Sequence, residues 1–286
     1  MRVVVASGKG GTGKTTVATS LALSASGRSV SYMDCDVEAP NGHVFLRPAL
    51  DRRQDVGILI PRVDESVCTH CGICAEVCRY NAIAVLGRRT MVFPQLCHGC
   101  GSCTHACPEG AIEERLDVMG VLEGGETESG LAFSRGVLNV GEPMAVPVIR
   151  ALKRWPPSRV VVTEVRDAPP GASCPVVETI RGADFALLVT EPTPFGLHDL
   201  KQVVEVVREV GVPAGVVVNR DGIGDDRVDR YCAAEGLPIL MRIPFDRAIG
   251  EGIARGLPLV EILPEYRVRF ERLLEAIRRR VGGGDA

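Results

Sequence analysis

Eight cysteines between Cys68 and Cys107 have the spacing to hold iron and sulfur. They read Cys68-x2-Cys71-x2-Cys74-x3-Cys78 and, 29 residues later, Cys97-x2-Cys100-x2-Cys103-x3-Cys107. Gly72 and Gly101, Ala82 and Ala111, and Ile83 and Ile112 match at the same offset, which implies two copies of one unit packed together. This spacing is the bacterial run for two [4Fe–4S] clusters, in which the fourth cysteine ligates the other cluster. Cys68, Cys71, Cys74 and Cys107 are expected to hold one, and Cys97, Cys100, Cys103 and Cys78 the second. Pro108 follows the last cysteine as the pattern requires, whereas Arg79 stands where proline is expected after Cys78. Proline there is not a ligand, so altered local backbone or potential is expected, with the cluster kept. Two structural zinc ions are the rival reading, but x2-x2-x3 spacing is atypical of zinc.

A second set of residues suits phosphate. Gly8-Lys9-Gly10-Gly11-Thr12-Gly13-Lys14-Thr15 fits G-x-x-x-x-G-K-[ST] between an expected strand and an expected helix. Glycines let successive backbone N–H groups converge on phosphate oxygens, and the helix N-terminus favours negative charge. Lys14 can reach the β- and γ-phosphates and the Thr15 hydroxyl can ligate Mg²⁺. Thr16 is expected at the nucleotide with them.

The added Lys9 makes the loop resemble the deviant Walker A ATPases, the MinD/ParA and nitrogenase iron-protein superfamily. In that family the extra lysine reaches across a dimer, so the resemblance implies a homodimer, or a dimer with a close paralogue, with ATP between subunits. Asp34-x-Asp36-x-x-x-Pro40-Asn41 resembles the family's switch I, which implies that Asp36 positions the attacking water and Asn41 lies near the phosphates. Asp167-Ala168-Pro169-Pro170-Gly171 resembles its Walker B and switch II, which implies Asp167 on Mg²⁺ through water and the Gly171 N–H sensing the γ-phosphate. Lys9, Lys14, Asp36 and Asp167 are the implied catalytic set. Asn219 and the segment with Pro244 resemble the adenine-binding elements, although a strand-end Asn is often only a turn residue.

The elements that must position these groups alternate. Val3–Ala6 and Val30–Met33 read as strands around the helix Thr15–Leu23. Stretches at Leu116–Leu122, Leu131–Phe133 and Val137–Val140 suggest short strands or a hairpin. A helix near Met144–Lys153 leads to a strand at Arg159–Val165, made unusually polar by Glu164 and Arg166. Then follow Phe185–Thr190, Leu197–Val210, Gly215–Val218, Asp225–Ala234 and Pro238–Ile243, strand and helix in turn. This predicts an α/β fold, a mostly parallel P-loop sheet flanked by helices. A small α+β ferredoxin at 64–113 would interrupt it, leaving 1–63 and 114–286 as two parts of one ATPase domain.

Composition bounds the rest. The chain has 286 residues, 45% apolar and 24% charged, with a formal net charge of −3, so no nucleic-acid surface is expected. No apolar run approaches membrane-spanning length and no signal peptide is evident, so a membrane role is not expected and a cytoplasmic location is. Eleven cysteines in a reducing compartment favour metal over disulfides. Cys174 and Cys232 read as small packing residues, and Cys35, flanked by aspartates, as no ligand. His70, His98 and His105 lie in the cysteine loops, where they could tune cluster hydrogen bonding. The stripe Tyr266, Phe270, Leu273, Leu274, Ile277 and Val281 suits docking on the core better than the terminal membrane helix of MinD proteins.

Together these modules resemble MinD-superfamily ATPases with an inserted ferredoxin. The expected function is ATP binding and hydrolysis coupled to electron transfer toward an unidentified redox or iron–sulfur acceptor protein. Iron–sulfur cluster carriage of the Mrp/Nbp35 kind and redox-sensing MinD-like positioning are the alternatives.

Overall fold

The computed structural model describes residues 1–25 and 29–282. The β-branched run Val3-Val4-Val5 is wholly buried in β1 (Arg2–Ala6), which enters the glycine loop and then α1 (Lys14–Ser24). β2 (Val30–Asp34) and the short α2 (Gly42–Leu46) lead into β3 (Ala49–Val63). Next come α3 (Ile73–Glu76), β4 (Ile83–Leu86), β5 (Arg89–Val92) and α4 (Ser102–Ala106). β6 (Ile112–Glu126), β7 (Ala132–Leu138) and α5 (Val146–Arg154) return the chain to the main body.

The second half alternates as its apolar runs predict: β8 (Thr163–Asp167), α6 (Cys174–Ile180), β9 (Phe185–Thr190), α7 (Pro194–Val210) and β10 (Ala214–Asp221). α8 (Arg227–Ala234), β11 (Ile239–Pro244), α9 (Arg247–Ala254), α10 (Leu259–Ile262) and α11 (Tyr266–Gly282) complete it. The main sheet has the order β11-β10-β9-β1-β8-β2-β7-β6-β3. Pairing is parallel from β11 to β7 and antiparallel beyond. One face packs on α1, α10 and α11, and the other on α6, α7 and α8. The fold is therefore α/β, with a mostly parallel sheet flanked by helices.

Three expectations need correction. The strand read at Arg159–Val165 lies at Thr163–Asp167. Val160 and Val162 are exposed, whereas the buried Arg166 is neutralised by Glu164 at 2.6 Å, so a charged pair replaces apolar content. The stretches read after residue 115 as short strands or a hairpin do form an antiparallel pair, but β6 is longer than expected, 15 residues, and Val140 lies outside both strands, fully exposed. Cys174, read as buried, is exposed, because α6 starts at the surface with Pro175 in its first turn. The other two stray cysteines are buried, Cys35 against α5 and Cys232 on the inner side of α8. The C-terminal stripe docks Tyr266, Phe270, Leu273, Leu274 and Ile277 on the core. Among the described residues no helix is long and apolar enough to cross a membrane.

β3 and β6 form a long antiparallel ribbon, paired from Ala49–Glu126 to Val63–Ile112. Residues 64–111 sit at its far end, and the 29-residue repeat becomes a local pseudo-two-fold. The Val63–Ile112 pair is matched by Val92–Ile83, and the Asp64 N–H bond to the Ala111 carbonyl by Phe93 N–H to Ala82, both 2.8 Å. Tyr80 stacks on His98, with ring centroids 3.8 Å apart, where the other copy pairs Glu109 with Thr69. Even the left-handed positions repeat: His70 and Asn81 hold positive φ where the second copy has Gly99 and Gly110.

Candidate functional site

Gly13 turns into α1 with φ 88°, and no side chain caps the helix, so the N–H groups of its first turn remain available to an anion. Asn219 Nδ2, at the end of β10, donates to the Thr12 carbonyl at 2.7 Å and lies 2.3 Å from where a Cβ on Gly13 would stand. A larger residue at 13 would break that clamp. Gly8 has the same constraint against the backbone of Asp199, at 2.1 Å. The loop is thus shaped by close backbone approach as well as by turn geometry.

A cavity of about 560 Å³ opens over this loop. Lys9, Gly10, Gly11, Gly13, Lys14, Thr15 and Thr16 form its floor, Asp36 and Asn41 one wall, and Asn219 and Pro244 another. Four of the expected residues do not line it. Gly8 packs against the backbone of Asp199, and the buried Thr12 hydroxyl has no hydrogen-bond partner among the described residues. Asp167 lies beneath Lys14, fully buried. The Gly171 N–H donates to the Ser7 carbonyl at 2.9 Å, so sensing a phosphate would require that bond to open. Sequence reasoning missed Arg220, which also lines the cavity, as do Ile243, Phe245 and Asp246 of the segment read with Pro244.

The electrostatics under the loop call for cations. Lys14 Nζ lies 2.6 Å from Asp167 Oδ1, and Tyr32 donates its hydroxyl to Asp167 Oδ2 at 2.8 Å. Burial pushes the Lys14 ammonium down, but Asp167, Asp34 and Asp36 together raise its pKa above the ordinary lysine value. Asp34 is pushed up to about 7, chiefly by burial and then by the Asp167 charge, although the Gly42 N–H bond opposes this. Burial also raises Asp36. Three carboxylates around one lysine fit a divalent cation, and Asp36 and Asp167 are the residues that would serve it.

Asp34 predicts a pH dependence. Between the unfolded value of 3.8 and about 7, the folded state holds a proton that the unfolded state releases. This group's stabilising contribution is complete at acid pH and is lost as pH rises toward 7, at roughly 1.4 kcal/mol per pH unit. Without nucleotide, the melting temperature should fall more steeply from pH 5 to pH 7 in the wild type than in Asp34→Asn. Parallel slopes would refute it.

Lys9 is turned onto its own chain. Its Nζ lies 2.5 Å from Glu191 Oε1, and the other carboxylate oxygen pairs with Arg220 at 3.0 Å. Arg220 also donates to the Gly11 carbonyl at 3.0 Å. Although burial opposes it, these two cations hold the Glu191 carboxyl below its usual range.

The eight clustered cysteines gather into two crossed sets. Cys68, Cys71, Cys74 and Cys107 line one small cavity, and Cys78, Cys97, Cys100 and Cys103 the other. Backbone N–H groups already point at two symmetry-related sulfurs, Ala82 to Cys78 at 3.3 Å and Ala111 to Cys107 at 3.4 Å. Among the described residues no three His, Cys, Asp or Glu converge as ligands of one ion. Four thiols lining each cavity are the donor set that a [4Fe–4S] cluster takes.

A glycine loop opening a helix beside the carboxyl ends of parallel strands defines a P-loop nucleotide-binding protein. The chain belongs to the CobQ/CobB/MinD/ParA nucleotide binding domain family, which residues 3–259 match. It is thus a P-loop ATPase of a family that hydrolyses ATP, uses Mg²⁺ and typically forms dimers. It is 29% identical to "Uncharacterized protein MJ0579" of Methanocaldococcus jannaschii over 90% of each chain. The cell division ATPase MinD of Pyrococcus furiosus superposes with a TM-score of 0.56 at 25% identity, over 98% of each chain. A shorter match of 119 residues, 30% identical, is to an iron–sulfur cluster carrier protein of Aquifex aeolicus, covering 36% of this chain and 33% of that one.

Proposed function

We propose that this ATPase couples ATP binding and hydrolysis at a dimer interface to electron transfer through two [4Fe–4S] clusters held by residues 64–113. The crossed gathering of the two cysteine quartets carries this reading. When bound, the clusters would accept and release single electrons. Lys14, Thr15, Asp36 and Asp167 would bind and orient Mg·ATP, and Lys9 would serve the partner's nucleotide. A homodimer or a dimer with a close paralogue, in a reducing cytoplasm, suits these parts.

The ribbon supplies a physical link. Switch I residue Val37 accepts a hydrogen bond from the Leu138 N–H of β7 at 2.8 Å, and β7 pairs with β6, which leads to the cysteines. A switch that moves with the γ-phosphate would therefore pull on the strands carrying the clusters.

The partial similarity to an iron–sulfur carrier favours cluster delivery as the second reading. Anaerobic reconstitution followed by EPR, with and without Mg·ATP and beside an apo-ferredoxin acceptor, separates the two. A midpoint potential that shifts with nucleotide while the clusters stay in place is the expected result. Clusters that move to the acceptor would overturn electron transfer.

A further inference from the structure

We infer that Tyr32 is a positioning residue for ATP hydrolysis, holding the Asp167 carboxylate on the metal side of the nucleotide cavity once Lys14 has turned to the phosphates. The inference rests on the proposal that Asp167 serves Mg²⁺. Asp167 is fully buried at the end of β8, and its two oxygens have different partners, Lys14 at 2.6 Å and the Tyr32 hydroxyl at 2.8 Å. One ammonium cannot stay on this carboxylate and also neutralise the β- and γ-phosphates. When it leaves, the Asp side chain is free about its broad second torsion unless its other oxygen is held. Among the described residues the Tyr32 hydroxyl is then its remaining side-chain partner.

Tyr32 is itself fixed. It is fully buried, and its ring stacks on Phe133 with centroids 5.7 Å apart and planes 12° from parallel. Its hydroxyl stands against the start of α2, 2.4 Å from where a Cβ on Gly42 would lie, so only glycine leaves room for it there. The Gly42 N–H donates to Asp34 Oδ2 at 2.8 Å. One phenol therefore touches the Walker B carboxylate and the helix that follows switch I.

Tyr32→Phe keeps the ring and removes the donor. Binding of a fluorescent ATP analogue is measured in EDTA and then against Mg²⁺ concentration, and kcat and KM are measured for the same variants. In Tyr32→Phe the Mg²⁺ requirement should rise roughly tenfold and kcat should fall, with affinity in EDTA unchanged, because one bond to a charged acceptor is lost. Phe133→Leu, which loosens the same ring but leaves the hydroxyl, should keep the wild-type Mg²⁺ requirement. An unchanged Mg²⁺ requirement in Tyr32→Phe, or equal shifts in both variants, overturns the inference. A wild type that binds ATP without regard to Mg²⁺ overturns the reading of Asp167 instead, and this inference with it.

Discussion

Replacing Cys107 by alanine is expected to damage the cluster of Cys68, Cys71 and Cys74, although Cys107 lies in the other half of the repeat. Bound iron should fall from about eight per chain toward four, and one of two EPR signals should be lost or altered. The crossed arrangement makes the test sharper through double variants. Cys68→Ala and Cys107→Ala line the same cavity, so combining them should cost little beyond either alone. Cys97→Ala lines the other cavity, so combining it with Cys107→Ala should remove both clusters. If Cys107→Ala behaves as a partner of Cys97 and leaves Cys68 indifferent, each half-repeat holds its own cluster and the crossing is wrong. A crossed fourth ligand would also tie the half-repeats together, so its loss should loosen the whole module. Its apolar centre is small, built on Ile83, Ile112 and Cys74 with the partly buried Val63, Val85 and Val92 against them.

What could be read in advance was whatever is local. The glycine loop and the cysteine runs declare themselves because their chemistry depends on spacing within a dozen residues. β9 was legible to the residue because all six positions, Phe185 to Thr190, are buried. The ribbon was not. Most of β3 is exposed on both faces and shows no alternation, so the strand carries no signal until its pairing with β6 is known. β8 begins four residues and ends two residues later than read, because two valines before it face solvent and an Arg–Glu pair inside it is buried. Tyr32 and Glu191 were invisible as site residues for a different reason. Tyr32 meets Asp167 across 135 residues, and Glu191 meets Lys9 across 182. Neither partner could be guessed from a strand tyrosine or a loop glutamate.

Glu191→Gln should release Lys9 and lower the ATP concentration needed for dimerisation by on the order of tenfold. If Lys9 serves the partner's nucleotide, it must first leave a carboxylate only 2.5 Å away. That contact is mostly shielded from water, with the glutamate side chain 8% exposed and the lysine 32%. A charge-assisted bond in such a place contributes about 1.5–3 kcal/mol, enough to decide between chain and partner. The same substitution weakens the hold on Arg220, which also grips the Gly11 carbonyl, so the loop itself should loosen. Two measurements separate these consequences. Amine labelling of Lys9 without nucleotide, read by mass spectrometry, should quicken in Glu191→Gln whether or not a dimer forms. Sedimentation with a slowly hydrolysed ATP analogue and Mg²⁺ should show the dimer at lower nucleotide. Because the carboxyl's folded pKa lies below its ordinary 4.5, its contribution is complete above that value and is lost only as pH falls below it. The difference between wild type and variant should therefore hold constant from pH 6 to pH 8. Quicker labelling without easier dimerisation would mean that Lys9 is latched as described but does not serve the partner.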